Sequence, residues 1–309
     1  APAGPGLDRT QAQTLWDQVL AFAGYGFNQG HATSYAMVSY RSTYLKVHWP
    51  AAFLCARLTE WGGFHHQAVY IAEAVRLGLV VRPPHVNHSG RRFTLDPEGA
   101  QRVLWMGLGQ VRDLRRASVR AIIAGRRSQP FSGLRDLLVR VPLQPKEISH
   151  LIQCGALDGL DGSRAALLAE ARKVEQAGSA LQMTFAFAQP EVAPESPAQR
   201  LAWERHLLGQ PVSVHPLDVV DLPPRLPLSQ LPNQPGRRVT VAGVRLPGWT
   251  GGEGFFLGDG ETFVVARGEP AQRAPAAWQP LLVRGRWLGD ELGGSWFQID
   301  SLEEVSARS

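Results

Sequence analysis

The sequence predicts an α+β, multidomain chain: a mostly helical N-terminal two-thirds followed by a small five-stranded β-barrel. Three observations predict it. At 309 residues the chain exceeds one compact core of ordinary size. Most of it before residue 208 reads as helices punctuated by glycine and proline. After Gly236 the texture changes to short apolar and β-branched runs bounded by Gly, Pro and Asp.

Taken in order, Asp8 or Thr10 caps a first helix that carries Leu15, Val19 and Phe22 at helical spacing, and Gly24, Gly26 and Gly30 break it. A second helix runs from about Ala32 to Trp49, Pro50 starts a third over 51–61, and a fourth covers 66–77 before Gly78. Residues 79–81 and 92–95 read as short strands around the turn-rich 82–90. Short helices separated by turns follow from Trp105 to Lys173. Residues 189–235 hold ten of the 23 prolines, which marks a linker interrupted by one helix over 198–208. Strands at 238–245, 254–257, 262–266, 281–288 and 295–299 suit a small barrel of OB type. The expected domains are 1–100, 101–180, 181–235 and 236–309.

Net charge is +5, and its placement matters more than its size. Residues 101–173 hold thirteen Lys/Arg against six Asp/Glu. Arg112, Arg115, Arg116, Arg120, Arg126 and Arg127 crowd one segment, with Asp113 alone to offset them. This unbalanced cluster points to DNA; the plainer account is a solvated arginine-rich helix. Cys55 and Cys154 lie far apart without metal-ligand spacing and read as buried thiols. No apolar run approaches the roughly 18 residues of a membrane span, and Ala1 to Gly6 lack a signal-peptide pattern, so a soluble, cytoplasmic chain with no membrane partner is expected. The start without methionine suggests a processed chain or a fragment of something longer.

The segment Ala23-Gly-Tyr-Gly-Phe-Asn-Gln-Gly-His31-Ala-Thr-Ser-Tyr-Ala is a glycine-punctuated turn entering a helix. It places Tyr25, Asn28 and His31 where free backbone N–H groups of a helix start meet an anion; the alternative is a helix cap with a buried aromatic. Leu181-Gln-Met-Thr-Phe-Ala-Phe187 combines Gln182 and Met183 with the aromatic anchors Phe185 and Phe187. It fits a peptide inserted into a partner's pocket, or a core strand. Trp249, Phe255, Phe256, Trp287, Trp296 and Phe297 supply the barrel with aromatics, most of them for its core, some available to stack on single-stranded bases.

The glycine turn, with Leu45-Lys-Val-His-Trp-Pro-Ala-Ala-Phe53, resembles the fingers of the bacterial C-family DNA polymerases, the DNA polymerase III alpha or DnaE type, where the turn reads G-Y-G-F-N-K-S-H-A. The resemblance continues collinearly through Tyr70-Ile-Ala-Glu-Ala-Val-Arg-Leu-Gly-Leu, Arg82-Pro-Pro-His-Val-Asn-His-Ser89 and Leu207-Leu-Gly-Gln-Pro-Val-Ser-Val-His-Pro-Leu-Asp218 to an OB-like end. It implies a C-terminal part made of the fingers end, a helix-hairpin-helix region, a clamp-binding peptide and an OB region. Tyr25, Asn28 and His31 then fall on positions that touch the incoming nucleotide, although Gln29 replaces a lysine and Gly30 a serine. Trp105-Met-Gly-Leu-Gly-Gln-Val-Arg-Asp-Leu-Arg-Arg-Ala117 falls on the hairpin that grips duplex DNA, with Asp113 and Arg115 in place of its glycines. Residues 182–187 fall on the peptide that binds the β sliding clamp.

Nucleotidyl transfer needs converging carboxylates on magnesium, and no Asp-x-Asp occurs here. The family places those residues in an upstream palm. The chain is therefore not expected to polymerise alone; no cofactor is expected in it, magnesium being expected in the missing palm. Its expected partners are DNA, the β clamp and a palm-bearing chain or the missing N-terminal part. The alternatives are a stand-alone non-catalytic DNA-binding accessory and a nuclease built on His65, His66, His85 and His88.

Overall fold

The computed structural model describes residues 6–23, 29–60, 63–96, 102–177, 192–252, 254–272 and 275–306. The chain divides into two compact units, Ala1–Trp49 and Pro50–Ser309. The first holds two helices, α1 (Arg9–Ala23) and α2 (Gln29–His48). Asp8 starts α1: its Oδ1 accepts the Gln11 N–H at 2.8 Å while Gln11 Oε1 accepts the Asp8 N–H at 3.0 Å, a reciprocal cap. No residue of α2 is buried.

The second unit begins with α3 (Pro50–Thr59) and α4 (Gln67–Arg76). A three-stranded sheet follows, β1 (Val80–Arg82), β2 (Thr94–Leu95) and β3 (Val103–Trp105), in the order β1-β3-β2. The middle strand β3, parallel to β1 and antiparallel to β2, was absent from the sequence-based expectation. Five helices come next: α5 (Arg116–Gly125), α6 (Leu134–Arg140), α7 (Pro145–Gln153), α8 (Arg164–Ala177) and α9 (Pro197–Leu208). One apolar cluster, from Ala51 to Leu208, joins α3, the small sheet and these helices, and takes buried residues from both sides of position 100.

The expected linker is packed where it is described. Leu201, Leu207, Leu208, Leu217, Val220, Leu228 and Leu231 are all buried. The prolines here begin helices as well as break them: Ser196 Oγ accepts the Gln199 N–H ahead of Pro197 in α9, and Pro216 opens a short 3-10 turn.

β4 (Arg238–Leu246), β5 (Phe255–Gly258), β6 (Phe263–Arg267), β7 (Pro280–Gly289) and β8 (Ser295–Glu304) close into a barrel in the order β4-β5-β6-β8-β7, with the short helix α10 (Glu269–Gln272) after β6. The β6–β8 pairing is parallel and the others antiparallel. Val241, Phe255, Leu257, Leu281, Val283, Phe297 and Ile299 fill the interior. The outward residues Ala242, Val244, Leu246 and Phe256 are buried too, under Ala68 and Val69 of α4. Burial on both faces explains why β5, and residues 241–244 of β4, read as continuous runs without a charged or polar side chain.

Buried charges tie the helices together. Arg164, 1% exposed, donates to Asp158 at 2.6 and 2.9 Å, to Glu204 at 3.1 Å and to the Gln153 carbonyl. Glu204, 0% exposed, also accepts the N–H groups of Val212 and Ser213, each at 2.8 Å, and the Ser213 hydroxyl. Cys154 is buried beside this network, and burial pushes its thiol up to about 12. Cys55 is half-buried.

Candidate nucleic-acid interface

The hairpin lies between β3 and α5. Gly107 and Gly109 belong to its packing: the N–H groups of Leu108 and Gly109 donate to the carbonyls of Gly90 and Arg91, and a Cβ at position 107 would meet Arg91 O at 2.5 Å. Val111 is buried, and the chain then turns outward through Arg112 and Asp113. Asp113 has φ 59°, the left-handed conformation that glycine adopts freely and Asp tolerates. Its carboxylate meets Lys146 Nζ at 2.8 Å, and that hydrogen bond lowers its pKa.

The six arginines divide into two groups. Arg115 is held by Glu147, which is 1% exposed: the guanidinium donates at 2.8 and 3.0 Å, and the Arg115 backbone N–H donates at 2.9 Å. The Ser118 hydroxyl and the Gln144 N–H also donate to Glu147. Burial alone would raise the Glu147 pKa, yet the bonds from Arg115, Gln144 and Ser118 hold it down to about 2. Arg126 points inward and donates to the carbonyls of Val86 and Ser89 at 2.8 and 2.7 Å. These two arginines brace the scaffold.

Arg112, Arg116, Arg120 and Arg127 are exposed. Among the described residues no carboxylate forms an ion pair with any of them. Arg116 and Arg120 are four positions apart on α5 and share one face, with Arg120 Nε 3.4 Å from the Arg116 carbonyl. The arrangement is an open cationic ridge beside the hairpin tip, suited to a polyanion.

His31 is exposed at the start of α2, its ring 4.5 Å from Tyr35. Tyr25, Asn28, Gln182, Met183, Phe185 and Phe187 lie outside the described residues. Among the described residues no group of three or more His, Cys, Asp or Glu could hold a metal ion. His85 is part of the scaffold instead: its Nδ1 accepts the Asn87 N–H, its Nε2 sits 3.2 Å from the Asp158 carbonyl, and burial takes its pKa down to about 4. His88 stacks on Trp105 with ring centroids 4.5 Å apart. No described helix is long and apolar enough to cross a membrane.

Sequence reasoning missed Glu147 as the residue that fixes the hairpin. A signal was present: Gln144 and Glu147 flank Pro145 with the spacing of a capping box.

A family model described as a helix-hairpin-helix motif matches residues 78–167. DNA polymerase III subunit alpha of Thermus aquaticus is 36% identical over 229 residues, covering 69% of this chain and 18% of the relative. The subunit of Campylobacter jejuni is 30% identical over 239 residues, covering 69% and 20%. The error-prone DNA polymerase of Pseudomonas paraeruginosa is 28% identical over 301 residues, covering 91% and 28%. The match thus spans only 18–28% of the length of these relatives. Asparaginyl-tRNA synthetase from Pyrococcus horikoshii aligns with 28% of the chain at a TM-score of 0.24 and 20% identity, too little to bear on fold or function. Over the matched residues the chain belongs with the bacterial DNA polymerase III alpha subunits and error-prone DNA polymerases.

Proposed function

We propose that this chain is the C-terminal DNA-binding segment of such a polymerase, which holds duplex DNA through the hairpin and α5 and docks on the β sliding clamp through residues 182–187. The observation that carries the DNA reading is the exposed set Arg112, Arg116, Arg120 and Arg127 beside the hairpin, none of which forms an ion pair with a carboxylate among the described residues. Such cations position a backbone without reading bases. The palm carboxylates and their magnesium belong to the missing part or to a second chain, because this sequence contains no Asp-x-Asp.

Charge reversal of Arg116 and Arg120 tests the reading. Each lost phosphate contact lowers the slope of log affinity against log salt by about 0.9. The double variant should bind duplex DNA at least tenfold more weakly, with that slope shallower by about two; unchanged affinity removes the ridge from the DNA surface. Primer extension should be silent for the chain alone and appear with a palm-bearing partner; activity of the chain alone would overturn the division of labour. Replacing Gln182, Phe185 and Phe187 with alanine should abolish clamp retention, and intact retention would remove the clamp peptide.

A further inference from the structure

A cavity of about 330 Å³ opens between the α3–α4 loop and the end of α9, lined in part by Arg57, His65, His66, Tyr70 and Gln110. Its size suits a small polar ligand. No Asp or Glu is among its described lining residues. Arg57 Nη2 donates to the Tyr70 hydroxyl at 2.9 Å and its guanidinium lies 4.9 Å from the Tyr70 ring centre, yet among the described residues no carboxylate pairs with it. His66 Nδ1 accepts the Ala68 N–H, so its neutral form carries the proton on Nε2 as a donor. His65 Nδ1 is buried without a hydrogen-bond partner.

From this cavity a run of rings leads to the surface. Tyr70 and His65 centroids are 6.1 Å apart, His65 and Phe64 5.3 Å, and Phe64 and Trp249 4.9 Å. Phe64 is 64% exposed and Trp249 57%, although each belongs to a different part of the chain. Trp249 is held there by the β4–β5 loop, where Gly248, at φ 143°, lies against Val69 of α4. Large aromatics paired in the open, beside an arginine that no carboxylate among the described residues pairs with, form an aromatic platform next to a cationic recess.

We propose that this cleft binds one nucleotide unit, its phosphate received by Arg57 and His66 and its base stacked on Phe64 and Trp249. Arginine without a competing carboxylate takes a phosphate through paired N–H donors, and exposed rings take any base by its face. The unit is either one residue of a single strand or a free nucleotide. The cleft lining includes none of Arg112, Arg116, Arg120 and Arg127, so its variants test it without touching the ridge arginines.

Anisotropy titrations of the full chain against a short oligo(dT) and against duplex DNA test the proposal. Trp249→Ala and Arg57→Gln should each weaken oligo(dT) binding about tenfold while duplex affinity and thermal midpoint hold. Trp249→Phe should retain binding. Gly63→Ala should reproduce the Arg57→Gln loss, because a Cβ there would sit 1.4 Å from Arg57 Nη2. Competition by free dTMP, lost in Arg57→Gln, makes a free nucleotide the source; no competition, with oligo(dT) binding still lost in the variants, makes it a strand. Unchanged oligo(dT) affinity in both Trp249→Ala and Arg57→Gln, or an equal fall for duplex, overturns the proposal.

Discussion

The helical body of the second unit and its barrel are stabilised by different chemistry. In the helical body, charges are internal: Arg164, Glu204 and Glu147 are each at most 1% exposed and bonded on several sides. The barrel's core cluster, from Val241 to Ile299, is built of apolar side chains, and the ion pair Arg238–Asp300 is on the outside. Each charge in the first region depends on partners distant in sequence, whereas each residue in the second depends only on being apolar and facing inward. The two regions should therefore break in different ways.

The largest effect is expected at Glu204. Glu204→Gln would turn an NH₂ group toward donors that now give to a carboxylate, and would leave Arg164 short of a buried counter-charge. Breaking one side of a buried pair costs about 3–5 kcal/mol, measured by urea unfolding. A loss below 1 kcal/mol would mean that the network contributes little and the comparison fails.

Glu147→Ala comes next, at about 2–3 kcal/mol, since it strips acceptors from the Arg115 backbone, the Ser118 hydroxyl and the Gln144 N–H at once. The same residue gives a pH signature. Its folded pKa is about 2, depressed from 4.5. The stability it confers is complete above 4.5 and is lost as pH falls from there through about 2. Acid titration of stability in wild type and variant should diverge above that window and converge below it; parallel curves would deny Glu147 its role.

This contrast also governs what the sequence disclosed. The barrel was legible because alternation places Leu281 and Val283 inward, and a period of two is visible in any single strand. The end misjudged by more than a single residue was that of β8, extended to Glu304, because residues 300–304 are mostly exposed and polar and carry no pattern. In the helical body β3 escaped notice: three residues long, it is defined by the neighbours it pairs with on both edges. The arginine cluster read as one basic patch because composition cannot report that Arg115 meets a carboxylate 32 positions away or that Arg126 meets two carbonyls. The ridge was readable in the sequence; its division into members that brace the scaffold and members that face solvent was not.

In the barrel, trimming Ile299, 3% exposed, to valine should cost only about 1 kcal/mol, the loss of one methylene from a packed interior. No hydrogen-bond partner is orphaned. A cost equal to that of Glu204→Gln would show that the barrel is as intolerant of small change as the charged network, and the contrast would collapse.

The smallest change in stability, and the most informative for function, is expected at Asp113. Its backbone already has the left-handed conformation that a hairpin glycine adopts, so Asp113→Gly asks for no rearrangement. What the substitution removes is a carboxylate at the hairpin tip, together with its hold on Lys146. If DNA lies against this tip, one repulsive charge disappears and one lysine is released toward phosphate. Duplex affinity should then rise several-fold and the salt slope steepen by about one. The thermal midpoint should scarcely move, because the lost ion pair is exposed. Unchanged affinity would place the tip away from DNA and leave Arg116, Arg120 and Arg127 as the contacts on this side of the hairpin, a distinction that the charge-reversal experiment cannot make by itself.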